Sequence, residues 1–118
     1  SSYNGIQVDR WIGAKAEFEL DVSKFGNASK IILEGFVPGN LNFTFPFVLD
    51  LHINGTRFSN QINSPGAFSL ELPILKLKTE KFITIEITPS QVHELRGQFR
   101  LRRKLVEQSI KLDRVIIK

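Results

Sequence analysis

An all-β fold, built as an antiparallel sandwich of two sheets, is what this sequence predicts. Three observations carry the prediction. Apolar and polar residues alternate along most of the chain, the pattern of strands that bury one face. Gly, Pro and Asn clusters interrupt the alternation at short intervals, as the turns of an antiparallel sheet require. One segment alone, 90–108, admits a helical reading. About six to eight short strands follow from this pattern. Their alternation rules out a doubly wound parallel sheet, whose strands read as unbroken apolar runs.

AEFELDV sets Phe18, Leu20 and Val22 on one face and Glu17, Glu19 and Asp21 on the other, and FGNAS ends it with turn residues. KIILEGFV is the next strand and PGN terminates it. In FVLDLHINGTRFSNQI, Phe47, Leu49, Leu51 and Ile53 alternate with Val48, Asp50 and His52. Asn54-Gly55 supplies the pair of positive-φ residues of a type I′ turn, whose twist matches that of paired strands. Such a loop sets Ile53 opposite Thr56 and Leu51 opposite Phe58, so register and apolar pattern agree. AFSLELP alternates Phe68, Leu70 and Leu72 with Ser69 and Glu71, and KFITIEI turns Ile83, Ile85 and Ile87 inward. In SIKLDRVIIK, Ile110 and Leu112 are out of phase with Val115 and Ile117, which a bulge near Asp113-Arg114 reconciles. Within 90–108, Val92, Leu95, Phe99 and Val106 make a loose helical stripe that Gly97 interrupts. A short helical turn followed by a loop is an equal reading there.

The 118 residues are expected to form one domain, long enough to bury roughly two-thirds of the unfolded surface without staples. No methionine occurs, even at position 1, so a segment cut from a longer protein is expected. Cysteine is absent, which removes disulfides, thiol catalysis and thiolate metal ligands. No apolar run approaches the ~20 residues of a membrane-spanning helix, and SSYNGIQ lacks the charged-then-apolar pattern of a secretory leader. No membrane span and a cytoplasmic location are therefore expected. The triplets Asn27-Ala28-Ser29, Asn42-Phe43-Thr44 and Asn54-Gly55-Thr56 fit glycan acceptors, but are expected to be unmodified. A formal charge of +4 is too modest to mark a nucleic-acid binder by itself.

Catalytic constellations are missing from the pattern. His52 shares the outer face of its strand with Asp50, the arrangement of a solvated surface pair, and His93 stands apart beside Glu94. Neither has metal-ligand spacing. Glu17, Glu19 and Asp21 line one strand face, and no glycine-rich phosphate loop occurs, so no enzyme activity, metal or cofactor is expected of this chain. Two features could bind something. Arg96, Arg100, Arg102, Arg103 and Lys104 cluster in RGQFRLRRKL and could hold phosphates or an acidic partner. The one interleaved aromatic, Phe99, is poor provision for base stacking, so nucleic acid is not the expected partner. In GNLNFTFPF, Phe43 and Phe45 beside Asn42 offer flat rings and an amide, the groups that hold the apolar face and polar rim of a sugar. The opposing reading is that these rings close the end of the sandwich, since phenylalanine is usually buried.

Three stretches together resemble a known family. YNGIQVDRWIG resembles the opening of small β-sandwich accessory domains attached to bacterial glycosyltransferases and sugar-linked methyltransferases. KIILEGFVPG with FVLDLHINGTRF resembles their second strand, proline loop and Asn-Gly hairpin, and ITPSQ with RRKL and SIKLDRVII resembles their ending. Arg10 stands where the pattern has glycine, and Leu101 where it has the aspartate before Arg103. The resemblance implies a jelly-roll, carbohydrate-binding-module-like domain without catalytic function. It would position a neighbouring transferase domain of the parent chain or help it contact saccharide. It also implies that Trp11 covers the core near the first strand with its indole N–H on a backbone carbonyl, and that Asp9 pairs with Arg103. A buried tryptophan of that kind would cost roughly 3–5 kcal/mol on truncation. The ligand-binding residues expected on this reading are Trp11, Asn42, Phe43, Phe45 and Arg103. The alternative is an interaction module that docks an acidic partner or polyanion through Arg96–Lys104.

Overall fold

The computed structural model describes residues 4–21, 23, 29–73, 82–95 and 106–118. They contain ten strands: β1 (Asn4–Trp11), β2 (Ala16–Asp21), β3 (Lys30–Val37), β4 (Phe47–Ile53), β5 (Thr56–Ile62), β6 (Gly66–Pro73), β7 (Phe82–Pro89), β8 (His93–Leu95), β9 (Val106–Gln108) and β10 (Lys111–Ile117).

The Asn54-Gly55 hairpin organises the whole molecule. Both residues have positive φ, 47° and 86°, and Ile53 faces Thr56 while Leu51 faces Phe58. From that tip the chain pairs outward as nested antiparallel ladders: β4 with β5, β3 with β6, β2 with β7 and β1 with β10. The long double ribbon then wraps on itself, so that β7 also pairs with β4 and β10 with β3. The result is two four-stranded sheets, β1-β10-β3-β6 and β2-β7-β4-β5, the topology of a jelly roll. We call them sheet A and sheet B.

One apolar cluster fills the gap between the sheets. Ile31, Leu33, Val37, Leu72, Leu112, Val115 and Ile117 come from sheet A, and Leu49, Leu51, Ile53, Ile83, Ile85 and Ile87 from sheet B. Alternation places these side chains inward, and burying a large aliphatic side chain is worth about 1.5–3 kcal/mol each. The phase break in the last strand is a bulge at Asp113: β3 steps directly from Glu34 to Gly35, while β10 inserts Asp113 between their partners Arg114 and Leu112. The edge strand β1 carries the irregularity further, with Val8 and Asp9 between Gln7 and Arg10 and Asp9 at φ 46°. Gly35 sits at a close approach within sheet A. A Cβ there would lie 2.5 Å from the Lys111 carbonyl oxygen and 2.5 Å from the Phe68 ring.

Two expectations need correction. The helical turn anticipated within 90–108 is not formed at either described end, because His93–Leu95 and Val106–Gln108 pair as a short antiparallel ribbon. Backbone pairing at both ends satisfies groups that the loose apolar stripe could not order into a helix. The second concerns Trp11, which does not cover the core. It is 47% exposed, and the neighbouring Ile12, at 2%, takes the buried position. In GIQVDRWIG, Val8, Arg10 and Ile12 share the inward phase, and Trp11 falls on the other one.

Candidate functional site

Strand directions gather the expected site at one end of the sandwich. β1, β3, β5 and β7 finish there, β2, β4, β6 and β10 begin there, and the chain between β7 and β10 leaves and returns there. Trp11, Asn42, Phe43 and Phe45 all belong to this end. Arg103 and the rest of the basic segment 96–105 lie outside the described residues, as does the expected Asp9–Arg103 pair.

Within this end, the phenylalanines pack downward. Phe47 is fully buried, Phe43 meets it edge-on at a centroid distance of 5.2 Å, and Phe45 lies 6.4 Å from it. Both outer rings are half-buried against the core. Gln91 holds their loop from above: its Nε2 donates to the Thr44 carbonyl at 2.7 Å and its Oε1 accepts from the Thr44 N–H at 2.9 Å. Ser90 adds a backbone bond to Val48, and its hydroxyl accepts from the Val48 N–H at 3.1 Å. The rings thus close the end of the sandwich. Asn42 is exposed beside them, with φ 59°.

Trp11 belongs to a different surface. In the ladder of sheet A, Trp11 faces Lys111, and Lys111 faces Phe36. Residues directly opposite in a ladder point to the same side. The next row, Arg10–Leu112–Gly35, points inward, since Leu112 is buried, so this row points outward. Trp11 and Phe36 are therefore two exposed aromatic side chains, at 47% and 39%, on either side of one strand, with Lys111 between them. Two strand spacings separate their backbones by about 10 Å. Asp9 and Asp113 approach Lys111 at 4.0 and 3.6 Å. In the adjoining row, Arg114 donates from Nε and Nη2 to Glu34 Oε1 at 2.8 and 2.6 Å.

The base of the Trp11 corner is anchored by a buried polar group. Ser109 is completely buried, its hydroxyl lies 2.6 Å from the Ile12 carbonyl and 2.8 Å from that of Gly13, and its N–H donates to the Ile12 carbonyl at 2.7 Å. A buried hydroxyl is tolerated only when hydrogen-bonded, and here it locks the β1–β2 corner onto the start of β10. Phe36 escaped the sequence reading, although a signal was present. Ile31, Leu33 and Val37 set the inward phase of β3, which leaves Phe36 on the outward one.

The outer face of sheet B carries the histidine and the carboxylates. The row Glu17–Glu86–His52–Arg57 crosses all four strands. Lys15 pairs with Glu86 at 3.2 Å and Arg57 with Asp50 at 3.0 Å, which directs Asp50 Oδ2 to a guanidinium. Among the described residues, no group of three His, Asp or Glu side chains is placed to hold a metal ion, and no helix is long and apolar enough to cross a membrane.

No family model and no curated protein matches this chain. Among solved structures it is similar to the crystal structure of dimeric latent PorU from Porphyromonas gingivalis, with a TM-score of 0.57 and 9% sequence identity. The match covers 98% of this chain and 12% of that one. At that identity the likeness bears on the fold alone.

Proposed function

We propose that this chain is a noncatalytic accessory module of a glycosyltransferase-type bacterial protein, acting in the cytoplasm, and that it binds saccharide on the outer face of sheet A. The observation that carries the reading is the row Trp11–Lys111–Phe36, with exposed rings on both sides of a cation. An aromatic ring offers a flat apolar surface with a negative face, which suits the apolar C–H face of a pyranose. A separation of about 10 Å between the rings' strands is comparable to that of alternate sugars in an extended chain. Lys111, Asp9 and Asp113 place donors and acceptors where the hydroxyl rim would lie. Asn42, exposed at the same end, stands beside the phenylalanine cap and is not part of the row. That a domain of this fold can be a unit within a longer protein is supported by PorU, where the matching part is 12% of the chain. Fold by itself does not assign function, so the reading rests on the row.

The test is calorimetric titration of linear oligosaccharides against the wild type, Trp11→Ala and Phe36→Ala. Saturable binding that each substitution weakens about tenfold or more, with the melting temperature nearly unchanged, is the expected result. Absence of binding across a broad oligosaccharide panel, or binding indifferent to both substitutions, overturns it.

A further inference from the structure

Among the described residues, the two sheets are not closed along the side where the edge strands β1 and β2 run. A cleft of about 320 Å³ opens there between the sheets, lined on the β1 side by Val8, Arg10, Ile12, Leu112 and Val115. Across it stand Ala16, Phe18 and Leu20 of β2. Voids inside a packed protein are seldom larger than a water molecule, so this space exceeds an ordinary packing fault and falls at the small end of ligand pockets. Its walls are core residues: Ile12, Ala16, Leu20, Leu112 and Val115 are all buried.

Arg10 is the exception. It faces Leu112 across the ladder, so it belongs to the inward phase of sheet A, yet it is exposed and stands at the mouth of the cleft. Among the described residues it forms no ion pair; the carboxylate before it, Asp9, lies toward Lys111. Glu19, the other charged residue at the rim, alternates outward between Phe18 and Leu20 and points away from the apolar interior. An apolar slot with a single guanidinium at its entrance is complementary to one kind of small molecule.

We propose that this cleft binds a single-chain amphiphile with an anionic head, of the fatty-carboxylate class. Its apolar body lies against the partly exposed Val8 and Phe18, over the floor that Ala16 and Leu20 form, and its carboxylate meets Arg10. The volume admits one short chain, and the unmatched guanidinium favours a carboxylate over a neutral or cationic head, since charge-assisted hydrogen bonds are the strong ones. This site is separate from the aromatic row, which lies on the opposite face of sheet A.

Decanoate, decan-1-ol and decylamine are titrated against the wild type by competition with 1-anilinonaphthalene-8-sulfonate, below their aggregation limits. The expected result is saturable one-to-one decanoate binding, with the alcohol and the amine weaker. Arg10→Gln should weaken decanoate about tenfold, the effect of losing one charge-assisted contact, and leave decan-1-ol unchanged. Ala16→Leu, which fills the slot from its wall, should abolish both; if that variant fails to fold, Arg10→Gln and the head-group series decide alone. No saturable decanoate binding by the folded wild type overturns the proposal. So does decanoate affinity indifferent to Arg10→Gln, or binding only to anionic phospholipid vesicles. Self-association of Arg10→Gln without any change in decanoate binding would instead identify Arg10 as a charge guarding an edge strand, and likewise overturn it.

Discussion

Two groups of aromatic residues occupy the same end of this sandwich and have opposite fates. Phe43, Phe45 and Phe47 turn inward and cap the core, with Gln91 holding their loop. Trp11 and Phe36 turn outward on sheet A and stay exposed beside Lys111. Residue type does not separate them, because phenylalanine is found in both groups. Position relative to the strands does: Phe47 lies on the inward phase of β4 and the loop rings Phe43 and Phe45 fold onto it, whereas Trp11 and Phe36 fall on the outward phase of β1 and β3. Aromatic rings at a sheet end are therefore informative about binding only once the inward phase of their strand is known. By this criterion the phenylalanine cluster is architecture, and the Trp11–Phe36 row is available surface.

The comparison makes graded predictions. The largest effect belongs to Phe47→Ala, which removes the ring that both neighbours pack on and should cost about 3–5 kcal/mol in urea unfolding. A loss below about 1 kcal/mol would mean that the cluster does not cap the core. Gly35→Ala should follow at about 1–3 kcal/mol, since its methyl would press on the Lys111 carbonyl and the Phe68 ring; an unchanged midpoint would contradict the tight approach beneath the aromatic row. Gln91→Ala, which frees the Thr44 peptide groups, should cost about 1 kcal/mol and speed hydrogen exchange at the Thr44 amide. The smallest stability effect is expected for Trp11→Ala, about 1 kcal/mol or less for a half-exposed ring, in place of the 3–5 kcal/mol that a buried tryptophan implies. A large drop in its melting temperature would erase the distinction between the two groups. Salt separates the saccharide reading from a polyanion docked at Arg96–Lys104. Saccharide affinity should stay nearly constant from low to moderate ionic strength, whereas binding carried by that basic segment should fall steeply.

Much of the fold was legible in the chain. The Asn54-Gly55 turn, the inward residues Phe18 and Leu20 of β2, the inward sets of β4 and β7, and the phase break at Asp113 all appear as expected, because each is a local property of a few residues; Val22, expected inward with Phe18 and Leu20, lies outside the described residues. β1 was harder to see. Its apolar phase is diluted by Arg10 and carries an irregularity at Asp9, so the alternation around Trp11 is weak. The candidate site was legible in part. Trp11, Asn42, Phe43 and Phe45 do share one end of the molecule, but Phe36 and Lys111 join Trp11 through β10, a strand about a hundred residues later in the chain than β1.

The sequence alone therefore determined the kind of architecture: extended strands with one greasy face, turned by a mid-chain Asn-Gly hairpin. Phase and turn chemistry act within a handful of neighbouring residues, and those neighbours are written side by side. Which strands became neighbours, which rings shared a row, and which edges were left apart around a cleft were decided only when the ribbon wrapped. Those relations depend on cross-strand register between distant segments, and register is fixed by the packing of both sheets together.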